Sequence, residues 1–456
     1  MKRIVLFVIA CMVAFVSQAQ MSGLLYNSKH IPQINAMNPA FFTNSKFYLS
    51  LPNVNLNFSS PLAFSDLYRV EPDANGQNIT YIDTKGILEN LDNLNEINAD
   101  LNVGLFGFGF RTKNGFVSFS SQLRNNIQLG VPKDILHFLI EGNVTEEGKG
   151  RDLTLLDQDL LSFTSYLEFG LGVGREFGEK LTVGLRGKFL MGLANINTNN
   201  TAISLYTDPD LNSLTVDMDY HVRMSAPVPI GQLLNGGKLD MSTINYLPQN
   251  FGVAFDVGAK YEINDKFSVA ASVLDVGAIH WVENPVELHP KDNSGSFTFS
   301  GLEWESMFGE GEYNEDFFSK LVDSIVNELT QYDIDTLTAD YWEMIPWRFN
   351  LSATYDLNKI ISGTLMYRGE KNKFSYFQSL TAGININLWD WLEIMACNSV
   401  HNFNDWLNPG VGISLSLLKT LQVYTLFDYV SDLYLVDGKS FRFFFGLNIA
   451  IGTHKD

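Results

Sequence analysis

One stretch of this chain limits its fold more than any other. From Trp347 to Leu357 the odd positions read Trp, Phe, Leu, Ala, Tyr, Leu and the even positions read Arg, Asn, Ser, Thr, Asp. Strict alternation with period two marks a strand whose two faces meet different surroundings. A strand in a soluble sheet usually runs about five or six residues. This one runs eleven, near the roughly 9–11 that a tilted strand needs to cross a bilayer. Trp347 and Tyr355 stand near its two ends, where aromatic residues prefer the membrane–water interface.

The pattern recurs in pairs. Leu101–Arg111 and Phe116–Arg124 are joined through Asn114-Gly115, a strong hairpin signal. The further pairs are Tyr166–Phe177 with Leu181–Met191, Phe251–Ile263 with Phe267–Val276, Trp347–Leu357 with Ile361–Glu370, Tyr376–Leu388 with Leu392–His401, and Val411–Leu417 with Leu421–Val430. A first strand, Phe47–Phe58, is bent at Pro52, and Phe441–Ile451 closes the chain. Links within pairs are about three or four residues, whereas links between pairs are mostly longer, notably 192–250 and 277–346. Short turns at one rim and long loops at the other form the outer-membrane barrel pattern. The expected fold is therefore all-β, a transmembrane antiparallel β-barrel of about 14 strands occupying residues 47–456. A large secreted all-β protein is the alternative.

The N-terminus agrees. Lys2 and Arg3 precede an apolar core, Ile4–Val16, of 13 residues, and Ser17-Gln18-Ala19 is a small-x-small cleavage site. Residues 1–19 read as a secretory signal, too short to span a membrane as a helix. Val8-Ile9-Ala10-Cys11 offers a rival lipoprotein box, but the apolar run continues past Cys11 to Val16. Cleavage after Ala19 leaves Cys397 as the one cysteine, so neither an internal disulfide nor a cysteine metal cluster can form. The formal charge of −20, less the two positive charges of Lys2 and Arg3, becomes −22. Such a surface repels phosphate backbones and argues against nucleic acid as a partner.

Residues 20–46 are polar and irregular and read as a loop able to tuck into the barrel. Among the long links, 133–141 reads as a short helix ended by Gly142, Asp316–Leu329 carries a helical apolar stripe, and 201–224 is either a further hairpin above the membrane or a continuation of the barrel strands.

Four stretches resemble a known family: Pro32-Gln33-Ile34-Asn35-Ala36-Met37-Asn38-Pro39-Ala40-Phe41, Phe47-Tyr48-Leu49-Ser50-Leu51-Pro52, Leu181–Asn195, and Ser204-Leu205-Tyr206-Thr207-Asp208-Pro209-Asp210. The family is an uncharacterised outer-membrane barrel family of Bacteroidetes, known as a domain of unknown function. More distantly, Asn38-Pro39-Ala40 resembles the Asn-Pro-Ala stretch of long-chain fatty-acid transporter barrels, where a segment near the N-terminus plugs a 14-stranded lumen. It is also similar to a stretch in the shuttle barrel of the type IX secretion system. The resemblance implies a plug at Asn38, Pro39 and Ala40, which otherwise read as an ordinary turn. The last strand departs from the common pattern, ending in Ile451-Gly452 and a polar tail instead of a terminal aromatic.

With the more apolar face toward lipid, the lumen-facing candidates are Arg186, Lys188, Asp256, Lys260, Arg348, Asp356 and Arg368. Mixed charges in a barrel pair with one another or with a plug, or else contact ligand. Asp208-Pro209-Asp210-Leu211-Asn212 spaces oxygens like a calcium loop, but Ser213 stands at the usual Gly position. The Gly-x-Gly runs at 104–109 and 170–174 lie inside strands with no following helix, which fits barrel bends better than a nucleotide loop. The seven His residues have no metal spacing, and no nucleophile–base arrangement is legible. We expect no metal, no cofactor and no catalytic residues.

Two function classes follow. The first is passive uptake of a small, hydrophobic molecule across the cell outer membrane, in contact with outer-membrane lipid. The second is a scaffold or shuttle for a secreted or surface protein, resting on the long loops and the stripe at 316–329.

Overall fold

The computed structural model describes residues 23–453 apart from 73–76, 143–148, 151, 209–212, 229–247, 291–294, 300–333, 390, 403–404, 419 and 431–438. Fourteen of the described strands close into an antiparallel barrel. They are β1 Ser45–Ser59, β2 Leu94–Thr112, β3 Gly115–Pro132, β4 Leu161–Phe177, β5 Leu181–Asp208, β6 Asn250–Asn264 and β7 Phe267–Trp281. The ring continues with β8 Trp347–Asp356, β9 Ile361–Lys371, β10 Tyr376–Leu388, β11 Leu392–His401, β12 Asp405–Leu417, β13 Leu421–Asp428 and β14 Ser440–Thr453. β1 pairs with β2 on one side and β14 on the other, which closes the ring and leaves no free edge.

Alternation becomes sidedness. Along β6, Phe251, Val253, Phe255 and Val257 are exposed while Ala254, Asp256 and Gly258 face inward. Leu171, Val173, Leu185, Phe189, Leu351, Leu365, Ile384 and Val411 continue the apolar outer belt. A belt of this kind is unfavourable in water but matches hydrocarbon. Trp389 and Trp391 stack at 5.4 Å on the short-turn rim. Trp406 and Tyr376 stand exposed at the opposite rim, so both interfaces carry aromatic residues.

Several strands outrun their expected bounds. β2 begins at Leu94 because residues 94–100 continue in register with 126–132 of β3; Asn95, Asn98 and Asp100 interrupt the apolar alternation there. β5 continues to Asp208 and pairs with a further strand, Ser213–Ser225. Of residues 201–224, 201–208 thus continue the barrel strand and 213–224 pair back against it. Lys133–Glu141 is a helix, with Gly142 at φ +79° as its cap. The stripe at 316–329 and Pro209–Asn212 lie outside the described residues.

The expected bend at Pro52 is a break in the ladder. β1 pairs with β2 at Ser50–Gly107 and again at Asn53–Gly104, leaving Leu51 and Pro52 opposite Leu105 and Phe106 without paired partners. The register with β14 slips at the same place. Proline has no N–H to give a ladder. Leu105 and Phe106 are exposed on the outer face.

Candidate functional site: a plugged lumen

Residues 23–44 lie within the barrel. Gly23–Asn27 form a short helix, α1, and Pro32–Ala36 a turn of 3₁₀ helix. Their apolar side chains Leu24, Leu25, Tyr26, Ile31 and Met37 pack on Met366, Met395, Cys397, Tyr424, Leu426 and Phe444 from β9, β11, β13 and β14. One half of the lumen is therefore an apolar core shared by segment and wall.

The other half is polar and grips the segment largely through its backbone. The Met37 carbonyl accepts from Ser272 Oγ at 2.9 Å and Asn350 Nδ2 at 3.0 Å. The Asn27 carbonyl accepts from Asn385 Nδ2 at 2.8 Å and the His30 carbonyl from Gln422 Nε2 at 3.0 Å. Asn35 accepts from Ser118 Oγ at 2.9 Å and from the Arg186 guanidinium. Glu393 accepts from Ser28 Oγ and the Lys29 N–H, both at 2.8 Å. Each bond satisfies a group that would otherwise be buried unpaired, a loss of about 1–3 kcal/mol.

Asn38 and Pro39 press directly on the wall. Asn38 Nδ2 donates to the Ala271 carbonyl at 3.1 Å. Gly184 and Gly258, register partners on β5 and β6, give the clearance: a Cβ on Gly184 would lie 2.0 Å from the Pro39 carbonyl oxygen, and one on Gly258 2.0 Å from Asn38 Oδ1. Ala40 is buried beside them, its N–H donating to Asn38 Oδ1 at 2.9 Å.

Beside the plug lies a buried charge layer. Arg124 of β3 bridges Glu168 at 2.9 Å and Asp275 at 3.2 Å. Lys188 contacts Asp256 at 2.8 Å, Glu168 at 3.7 Å, and Asp275; Arg348 also pairs with Asp275. Arg186 is 3.6 Å from Asp256. Asp275 sits at φ +62°, and its N–H donates to Asp256 Oδ1 at 2.7 Å. Three carboxylates thus meet four cations, and each of these buried charges has a neighbour of opposite sign.

Three cavities run along this lumen and share lining residues. At the long-loop rim a vestibule of about 270 Å³ lies among Asn57, Asn98, Asp100, Gln128 and Glu370. Asp100, Asn126 and Glu370 also line a waist of about 20 Å³, room for about one water. Arg124 and Arg348 pass from the waist into a cavity of about 90 Å³ against the plug. That cavity also touches Asn53, Gly104, Phe106 and Gly107, at the broken ladder. It is smaller than the roughly 150 Å³ apolar cavity that holds benzene, so in this state even one aromatic ring does not fit without movement.

A model for a family of unknown function, DUF5723, matches residues 39–428. The chain belongs to that family. No curated protein matches the sequence. Among solved structures the chain is similar to the Pseudomonas putida toluene transporter TodX, at 9% identity over 95% of this chain and 98% of that one, with a TM-score of 0.41. It is also similar to the Ralstonia pickettii toluene transporter TbuX, at 9% identity over 91% and 92% with a TM-score of 0.39. The CymD monoaromatic hydrocarbon channel matches at 8% identity over 94% and 95%, with a TM-score of 0.35.

Of the lumen candidates, Arg186, Lys188, Asp256 and Arg348 fall together in the charge layer. Arg368 is buried apart from them, paired with Glu370 toward the vestibule. Asp356 holds Lys29 of the plug near the short-turn rim, where both are partly exposed. Lys260 is also there, 2.7 Å from Glu262 and away from the layer. Arg124, Glu168 and Asp275 were not among the sequence candidates. Glu168 is legible as the one acid in Tyr166–Gly174, on the face of Gly170 and Gly172. Asp275 is not, because the register of β7 on β6 slips between Phe255 and Val257 and turns Asp275 inward against its parity.

Proposed function

We propose that this family member is a gated barrel of the cell outer membrane for passive uptake of a small, hydrophobic molecule, without catalysis. The carrying observation is the seating of residues 23–44 in the lumen, beside a cavity that touches the broken β1–β2 ladder. The wall at Leu51-Pro52 and Leu105-Phe106 lacks ladder pairs between β1 and β2, and its outer surface is apolar. A cargo that has passed the charge layer is disfavoured by polar walls but not by Leu25 and Phe444, buried residues that line the plug-side cavity. Movement of Asn38-Pro39 away from Gly184 and Gly258 enlarges that cavity and opens the route. The signal at residues 1–19 supplies export, and the toluene transporters similar in architecture suggest a cargo of comparable size.

The test is uptake of the hydrophobic probe N-phenylnaphthylamine by cells making the barrel, compared with cells lacking it and with cells making Gly184→Leu. Faster entry with the barrel, and faster still with the variant, supports gated uptake. Equal entry in all three rejects it.

A further inference from the structure

The six links at the short-turn rim share a residue type. Five of them carry a lysine: Lys113, Lys180, Lys266, Lys359 and Lys419. The sixth, between β10 and β11, carries Trp389 and Trp391. Lys46 stands at the remaining junction, where β1 meets β14. These lysines ring the barrel instead of crowding one side, at the rim that faces the periplasm in outer-membrane barrels.

Most of the cations at this rim are uncommitted. Lys29, Arg111 and Lys260 pair with Asp356, Glu176 and Glu262. Lys46, Lys113, Arg175, Lys180, Lys266 and Lys359 are exposed and make no ion pair among the described residues. Against these six stand two exposed acids without a cation, Glu179 and Asp265. Asp390 and Lys419, outside the described residues, add one charge of each sign. The rim is thus positive in a chain whose formal charge is −20. At the long-loop rim the pattern is the reverse: Arg69, Arg223, Lys373 and Lys439 are held by Asp83, Glu287, Glu343 and Asp66.

The depth and the spread of the cations select the partner. Arg175 belongs to the outer column Leu171, Val173, Arg175, Phe177, all exposed, and its guanidinium lies 5.3 Å from the Phe177 ring. Its stem therefore runs along the hydrocarbon-facing wall and its head reaches the level where aromatic residues mark the interface. Phe47, Tyr261 and Tyr355 are exposed at the same rim. Lipid phosphates lie at that level on every side of a barrel, whereas an acidic protein docks on one side. A zwitterionic headgroup offers the excess positive charge no net countercharge; an anionic one does, and unpaired Lys and Arg near a lipid surface attract it. We propose that the short-turn rim is a binding ring for anionic phospholipid headgroups of the periplasmic leaflet. This goes beyond the uptake reading and does not depend on it: the lipids bind whether or not the plug moves.

The test is electron spin resonance of spin-labelled phosphatidylglycerol and spin-labelled phosphatidylcholine in phosphatidylcholine vesicles holding the full mature chain. It reads the share of each lipid immobilised on the barrel. Phosphatidylglycerol should associate about twofold or more strongly, and the preference should vanish near 1 M salt, where the screening length is about 3 Å. It should also vanish when Lys113→Gln, Lys180→Gln, Lys266→Gln and Lys359→Gln are combined, with assembly checked by heat-shifted gel mobility. Lys133→Gln, Lys149→Gln, Lys371→Gln and Lys439→Gln together remove the same charge from the long-loop side and should leave the preference in place. If the fourfold rim variant does not assemble, Lys113→Gln with Lys359→Gln serves and should lose about half of it. Equal association of the two lipids with the native chain, which would leave the ring to an acidic protein, overturns the proposal. So does a preference that survives the rim substitutions, or one that falls equally with the long-loop set.

Discussion

The carbonyl oxygen of Pro39 lies where a side chain on Gly184 would begin, 2.0 Å from the position of its Cβ. A main-chain oxygen cannot turn aside as a flexible side-chain tip can, so Gly184→Leu must move either the plug or the β5 backbone. β5 is bonded on both sides, to β4 and β6, so the plug should yield. Single-channel recording in a planar bilayer should find a several-fold higher open probability for Gly184→Leu, with gel mobility still that of a closed barrel. Wild-type conductance in an assembled variant would show that Pro39 does not gate.

Cys397 offers a separate readout. It is buried, 8% exposed, in the apolar cluster with Leu24. A water-soluble maleimide should label it slowly in the native chain and at least tenfold faster in Gly184→Leu or after deletion of residues 23–44. Equal labelling rates would mean that this side of the lumen stays covered when Asn38-Pro39 is displaced.

Glu393 carries the other end of the plug. Glu393→Gln keeps its shape but removes the charge that accepts from Ser28 and Lys29 and faces His30 at 3.6 Å. Hydrogen exchange over residues 23–31 should quicken about tenfold or more, while β10 and β11 keep their protection. Exchange that quickens equally in plug and wall would identify Glu393 as a barrel residue instead.

The charge layer and the rim should respond to substitution on different scales. Asp275→Asn strips a counter-charge from Arg124, Lys188 and Arg348, and breaking a buried network from one side costs about 3–5 kcal/mol. Lys260→Met removes a half-exposed pair worth about 0–1 kcal/mol. Urea unfolding in lipid vesicles should separate the two variants clearly. A small loss in Asp275→Asn would mean that water reaches the layer.

The sheet above the rim should loosen in acid. Burial opposes ionisation of Glu287, but hydrogen bonds from Arg223 and His221, both at 3.1 Å, outweigh it and hold the carboxyl below its usual range. Glu287 pairs in register with Arg223. A lowered native pKa means that the stabilisation is complete above the unfolded value of about 4.3 and fades as pH falls through the native one. A spin label at Asp217→Cys should gain mobility over that acid range, and in a Glu287→Gln background its mobility should not depend on pH. Matching acid responses in the two backgrounds would place the titrating group elsewhere.

Period-two alternation made the barrel legible because lipid enforces it: a residue such as Leu185 or Leu351 on the wrong face meets water or hydrocarbon at a cost. The count of 14 followed from the same signal. Above the membrane that pressure lapses, and the starts of β2 and β12 were misplaced by six or seven residues. Arg186, Lys188, Asp256 and Arg348 followed from parity, while Asp275 lay hidden behind a bulge. Gly184 and Gly258 gave a visible signal, glycine inside a strand, with an ambiguous meaning. Barrel bends and a seat for a buried peptide call for the same residue, and only the register that sets them side by side opposite Asn38-Pro39 distinguishes the two.

Plug and wall are also one chain. Only Phe41–Asn44 separate Ala40 from the start of β1 at Ser45, and four residues reach at most about 14 Å. Within that tether Phe42 stacks on Phe116 at 4.6 Å, under Arg111. A plug drawn toward the short-turn rim therefore soon hauls on β1, and β1 is the strand whose rungs are already missing at Leu51 and Pro52. Tension on the plug would be delivered to a seam that already lacks ladder pairs, so one pull could serve both as bolt and as hinge.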